Sequence, residues 1–260
     1  MKKLLFVALL LPALALAAES PFTGTWKIDL GKVQVAATPE TWVLHNGRYQ
    51  CSTCVPRIDV KADGIDQPTP GSKYIDMLAV RIVDDKTVEL THKKGGKVIE
   101  TEKRVVSVDG KWVSVEFTGY PEGSREPIVG HETATRVAAG PAGSHAISGS
   151  WRIAKVDSAS ENALLITYKC SAEGLAMSMQ TGESYEAKFD GKDYPVKGDP
   201  GGSVVSLKKV SDYSIEETTK RDGKVVAVSY MTVSADGKTL TAKSENKERG
   251  GTFTFVAVKQ

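Results

Sequence analysis

Only three cysteines, four histidines and 7% aromatic residues stand in this 260-residue chain, so few side chains suited to chemistry are present. The 34 basic and 32 acidic residues include Lys2 and Lys3 of a leader described below, so 34 minus 2 leaves 32 against 32 in the mature chain. Without a basic excess, and with no Lys/Arg run longer than two, no counterion release drives binding to nucleic acid, and anionic membrane surfaces are equally disfavoured. Gly-x-Ser-x-Gly, His-Glu-x-x-His, a phosphate-cradling Gly-rich loop and a dinucleotide fingerprint are all missing, and His131-Glu132 lacks a second histidine. These absences assign no catalytic residue, cofactor or metal.

What is present begins with a leader. Lys2 and Lys3 precede an apolar run from Leu4 to Leu16, interrupted by Pro12, and Ala15-Leu16-Ala17 offers small residues for cleavage. Together they read as a signal peptide over residues 1–17, which places the mature protein in the periplasm or the medium. No cysteine flanks the site to carry a lipid, and no later apolar stretch reaches membrane-spanning length, so membrane insertion is not expected.

The rest of the chain is one design written twice. Gly24-Thr25-Trp26-Lys27-Ile28 returns as Gly149-Ser150-Trp151-Arg152-Ile153. Asp84 to Val98 returns as Ser211 to Val225 with seven of fifteen positions identical, and Val106 to Lys111 returns as Val233 to Lys238. Each copy exceeds the length of a solenoid repeat and is long enough to close its own core. Ala138 to Ser144 is small and punctuated by Gly and Pro, as an exposed connection should be. The expected organisation is therefore barrel 1 over 18–137, a linker over 138–146 and barrel 2 over 147–260.

Local patterns are those of strands. Val, Ile, Thr and Tyr cluster between turn dipeptides such as Asn46-Gly47, Asp109-Gly110, Asp222-Gly223 and Asp236-Gly237, whose residues accept the positive φ of tight hairpins. Leu78, Val80 and Ile82 share one face of a strand, as do Val113, Val115 and Phe117. Ala163 to Ile166 has some helical character, but the repeat frame favours strand. Roughly seven or eight hairpin-linked strands per copy suffice to close a small barrel and abolish its edges. The fold class expected is all-β, two tandem antiparallel up-and-down barrels.

Gly-x-Trp in the first strand, a meander of hairpins and a last strand bearing Arg136 resemble a lipocalin-like (calycin) barrel. The resemblance implies that Gly24 and Trp26, and Gly149 and Trp151, close their barrels at one end, with Arg136 packed over the first copy's ring. Matching Thr133–Ala138 to Thr252–Ala257 sets Phe255 opposite Arg136, which implies an aromatic cover in the second copy. The whole chain also resembles secreted tandem β proteins of soil bacteria, a resemblance that brings no activity with it.

Candidate site residues are few. Cys51-Ser52-Thr53-Cys54 fits a disulfide staple in an oxidising compartment better than a redox or metal site, because no helix N-terminus and no second cysteine pair accompany it. Cys170 answers to Cys51 in the repeat but lacks a partner. His92 shares a strand face with Val88 and Leu90 and points either into the first barrel or to its rim. Trp42, Tyr49 and Tyr74 in the first copy, and Tyr168, Tyr185 and Tyr230 in the second, sit on predicted strands and either line a ligand cavity or fill the core. The carboxylates are expected mostly at turns and on solvent-facing strand positions, and no pair of them is assigned general acid and base roles. The function expected is the binding of a small apolar or amphipathic molecule without catalysis. A structural or protein-interaction module with solid barrels and a thiol-dependent enzyme are the alternatives.

Overall fold

A computed structural model describes residues 19–260; the signal peptide expected over 1–17 lies outside them. The strands are β1 (Gly24–Ile28), β2 (Gln34–Ala37), β3 (Glu40–His45), β4 (Arg48–Cys51), β5 (Ile58–Lys61), β6 (Gln67–Pro68), β7 (Met77–Ile82), β8 (Thr87–Lys94), β9 (Lys97–Val106), β10 (Trp112–Gly119), β11 (Ile128–Ala139) and β12 (Gly149–Ala159). After a single helical turn α1 (Glu161–Leu164) follow β13 (Leu165–Cys170), β14 (Gly174–Met179), β15 (Ser184–Lys188), β16 (Tyr194–Pro195), β17 (Val204–Ser211), β18 (Ser214–Arg221), β19 (Lys224–Val233), β20 (Thr239–Asn246) and β21 (Gly251–Lys259). The turn at 161–164 corrects the expectation of strand there: Ser160 precedes it in extended conformation and strand begins only at Leu165.

The strands form two antiparallel sheets, each curled into a nearly closed barrel. One runs β5-β4-β3-β12-β11-β10-β9-β8-β7-β6, and the other runs β15-β14-β13-β1-β21-β20-β19-β18-β17-β16, with β2 also on β21. Their end strands approach each other across the gap. Hairpin tips carry the positive φ that the turn dipeptides foretell, including Asn46 at 50° and Asp222 at 50°.

The division of the chain between the barrels differs from the expected one. β12, which carries the second Gly-x-Trp, pairs with β11 and β3 of the first copy, in register Arg136 to Trp151 and Trp151 to Glu40. β1, which carries the first, pairs with β13 and β21 of the second copy, in register Trp26 to Ile166 and Trp26 to Lys259. The first barrel is therefore the uninterrupted stretch from Glu40 to Ala159, and the second joins β1 and β2 to everything after α1. The 138–146 segment is not a boundary but the hairpin between β11 and β12, closed by the Gly140 amide donating to the Ser148 carbonyl at 3.2 Å. The cores agree: Trp151 packs with Trp42, Tyr49, Leu78 and Val113, and Trp26 packs with Tyr168, Leu207, Ile215 and Leu240. The physical reason is that a closed sheet has no first strand, so a repeat in sequence does not say which neighbouring barrel its leading strand completes.

The two tryptophans sit alike. Both are buried, and each indole donates to the carbonyl four residues back, Trp26 to Phe22 and Trp151 to Ile147, both at 2.9 Å. The guanidinium of Arg136 lies 4.0 Å over Trp151 instead of Trp26, while the ammonium of Lys259 lies 5.3 Å over Trp26. Phe255 is not the second cover. Strand pairing sets Thr135 opposite Trp112 and Val258 opposite Thr239, which makes Lys259 the counterpart of Arg136 and shifts the sequence alignment by four residues. The glycines follow from these covers. A Cβ on Gly149 (φ +148°) would stand 2.6 Å from Arg136 Nη1, and one on Gly24 (φ +138°) 2.6 Å from Lys259 Cε.

Candidate functional site: the charged interior of the first barrel

Inward positions of a small barrel are normally apolar, and on β9 three in succession are not. Val106 is buried, and counting back by twos gives Arg104, Glu102 and Glu100 on the same inward face. His92 on β8 stands opposite Glu100, Glu132 on β11 stands opposite Val115, and Glu40 opens β3. Glu40, Glu100, Glu102, Arg104 and Glu132, with Trp42, Val115 and Phe117, surround a cavity of about 240 Å³. A second cavity of about 360 Å³ reaches His92 and Glu100 from the side of Cys54, Thr69, Tyr74 and Arg249.

Arg104 organises the cluster. Its guanidinium lies 4.0 Å over Trp42, donates at 2.8 Å to the Tyr49 hydroxyl, and grips one oxygen of Glu102 from Nε at 2.8 Å and Nη2 at 2.6 Å. Trp42 in turn stacks on Trp151 with centroids 6.3 Å apart and donates to Glu40 at 3.2 Å. The other Glu40 oxygen is held at 2.6 Å by Arg249, from the β20–β21 hairpin of the second barrel. Glu102 Oε1 lies 3.0 Å from His92 Nε2, and Glu100 Oε1 lies 3.9 Å from it, yet the imidazole nitrogen makes no well-formed hydrogen bond.

The electrostatics follow from burial and crowding. Burial alone would raise the Glu102 carboxyl, but Arg104 and His92 outweigh it and hold the group well below the usual carboxylate range. Burial and the neighbouring Glu102 charge push Glu100 upward. Glu132, buried and facing Glu102 and Glu40, is pushed up to about 7. Burial likewise raises the Tyr49 hydroxyl to about 12, so it stays a neutral acceptor for Arg104.

The second barrel provides an internal comparison. In the repeat frame and strand register, His92, Glu100, Glu102 and Arg104 correspond to Thr219, Ala227, Ser229 and Met231, and Glu132 corresponds to Phe255. The same architecture thus forms without the charged set. Its interior carries one buried carboxylate, Glu217, raised by burial and accepting from the Tyr185 hydroxyl at 2.5 Å.

The aromatic residues singled out in the sequence divide. Trp42 lines the smaller cavity, His92 the larger, and Tyr49 supports Arg104 from the core. Tyr74 is in a loop and not on a strand; it lines the larger cavity and stacks with Arg221 of the second barrel at 5.0 Å. Tyr168 is buried and its hydroxyl lies 3.5 Å from Met231 Sδ; Tyr185 is buried beside Glu217. Tyr230 faces outward, 42% exposed, because its neighbours Met231 and Val233 take the inward phase of β19. Cys51 and Cys54 form a disulfide, and Cys170 is free. The sequence reading missed Glu40, Glu100, Glu102, Arg104, Phe117, Glu132 and Arg249 as site residues. Phase with buried Val106 and Ala134 was the available signal, and it makes Glu100, Glu102 and Glu132 exceptions to the expectation that the carboxylates mostly face solvent.

Fold and site together define an all-β protein of two antiparallel barrels, one with a charged inner cavity. No family model, curated protein or solved structure matches this chain.

Proposed function

We propose that this protein is an exported, non-catalytic binding protein whose first barrel takes a small amphipathic molecule. The observation that carries the reading is the placing of Glu132 and Glu100 beside Trp42 and Phe117, at positions the sister barrel fills with Phe255 and Ala227. A charged lining disfavours a purely apolar guest, because each carboxylate would be desolvated without a partner. A guest with a flat apolar part and one ammonium satisfies both surfaces. The cavity of about 240 Å³ has room for on the order of eight to ten non-hydrogen atoms, at about 30 Å³ per water-sized unit. The Cys51–Cys54 bond supports export to an oxidising compartment, and its place at the end of β4, with no helix N-terminus beside it to stabilise a thiolate, supports a structural role for these thiols over a redox one.

A structural role suits the second barrel, whose interior packs Phe22, Trp26, Leu175, Leu207, Ile215 and Leu240. Native mass spectrometry of protein recovered from the periplasm or medium tests the reading: a retained small molecule, lost in a Glu132→Gln variant, supports it. A guest-free mass, together with no response to added aromatic amines, contradicts it.

A further inference from the structure

We propose that His92, Glu100 and Glu102 form a binding site for a divalent metal ion of the zinc class, at the junction of the two cavities in the first barrel. This goes beyond the binding of an amphipathic guest and stands without it. Each of the three residues offers one ligand atom, and these atoms all lie within 4.8 Å of one another. Ligands about 2.1 Å from a tetrahedral zinc are about 3.4 Å apart. The observed 3.0 Å from His92 to Glu102 and 3.9 Å from His92 to Glu100 bracket that value, so small side-chain adjustments suffice.

An orphaned polar atom gives a second, independent observation. Thr69 is 7% exposed and its Oγ1 has no hydrogen-bond partner. It lines the cavity of about 360 Å³ together with His92 and Glu100. Buried polar atoms are almost always satisfied, so this hydroxyl points to a polar occupant. A metal ion takes the lone pair of His92, and a water on the metal reaches a hydroxyl such as that of Thr69.

The surrounding groups suit the role. Arg104 engages Glu102 through Oε2 alone, which leaves Oε1 directed at His92. Arg104 is itself fixed by Tyr49 and Trp42, the kind of outer support that orients ligating carboxylates. The charges lining the two cavities are Glu40, Glu132 and the two ligating carboxylates against Arg57, Arg104 and Arg249, a balance that still leaves one carboxylate in excess for a cation. One imidazole with two carboxylates selects zinc, cobalt or manganese over calcium or magnesium, which prefer oxygen alone. The barrel does not need the set to fold, since Thr219, Ala227 and Ser229 occupy the same places in the second barrel.

The test is titration of the chelator-stripped full mature chain with Zn²⁺ by calorimetry and with Co²⁺ by visible absorption. One equivalent should bind, with a low-symmetry cobalt spectrum. His92→Ala and the near-isosteric Glu100→Gln should each weaken binding by about tenfold or more. His131→Ala, on the outer face beside Ser114 and Asp157, should leave it unchanged. Unaltered binding in both site variants, or none in the wild type at about millimolar metal, overturns the proposal. If His92→Ala fails to fold, Glu100→Gln and the zinc-induced shift of the His92 ring nitrogen in the wild type decide. Amine binding measured on the chelated protein keeps failure of the guest reading separate from failure of this one.

Discussion

Arg136 of β11 lies 4.0 Å above the indole of Trp151, and the two residues belong to different copies of the repeat. Its guanidinium also donates to the carbonyls of Gly110, Ser148 and Ala146 at 2.6, 2.5 and 2.7 Å, so one side chain ties β12 to the barrel it completes. Arg136→Ala removes this donor from the Gly110 and Ala146 carbonyls, leaves Ser148 with the Gly140 amide alone, and should cost about 2–4 kcal/mol of stability by urea unfolding. Lys259→Ala, whose ammonium is 5.3 Å from Trp26, should cost about 1 kcal/mol or less. Equal losses would contradict the different roles given to the two covers.

The exchange of leading strands predicts where the chain can be divided. Residues 38–160 contain every strand of the first barrel, including β12, and should fold alone with a cooperative melt and dispersed amide signals. Residues 19–140 lack Ile147 and Trp151 of that core and should not. A folded 19–140 fragment would show that β12 is dispensable and would refute the pairing.

Much of the architecture was legible in the sequence, since the repeats, turn dipeptides and alternation give two hairpin-built barrels. Ownership of the strands was not, because Gly24–Ile28 and Gly149–Ile153 look alike and only pairing partners tell them apart. The covering residue was misplaced for a related reason: the Thr-x-Thr match between 133–135 and 252–254 outweighed the register that equates Arg136 with Lys259. The charged interior escaped because Glu and Arg at alternate positions look like a solvent face until their phase with Val106 is counted. Trp42 and His92 could be singled out because the one is an aromatic on a predicted strand and the other a histidine in phase with Val88 and Leu90.

Thiol chemistry is checked by counting. Denatured protein without reductant should titrate one thiol, that of Cys170, and three after reduction. Replacing both Cys51 and Cys54 by alanine should cost about 2 kcal/mol or less, since the bond closes so short a loop. Three reactive thiols in unreduced protein would exclude the staple.

Glu132 gives the fold a pH dependence of known sign. Burial, with Glu102 and Glu40 nearby, holds its carboxyl at about 7, above the ordinary 4.5. The folded protein then keeps a proton that the unfolded chain releases, so this contribution is complete below about 4.5 and lost as pH rises through about 7. Glu132→Gln removes the loss. The variant should gain on the order of 1–2 kcal/mol relative to wild type between pH 4.5 and pH 8, by denaturant unfolding at each pH. A difference that does not change with pH would mean that Glu132 is solvated.

Calorimetric titration of residues 19–260 with phenethylamine, at pH 8 where Glu132 is ionised, tests the binding reading most directly. One molecule should bind, with affinity falling about tenfold or more in Glu132→Gln and in Trp42→Ala, and with no change when Tyr230 on the outer face is replaced by alanine. No heat of binding, or binding indifferent to Glu132 and Trp42, would contradict a ligand site inside the first barrel.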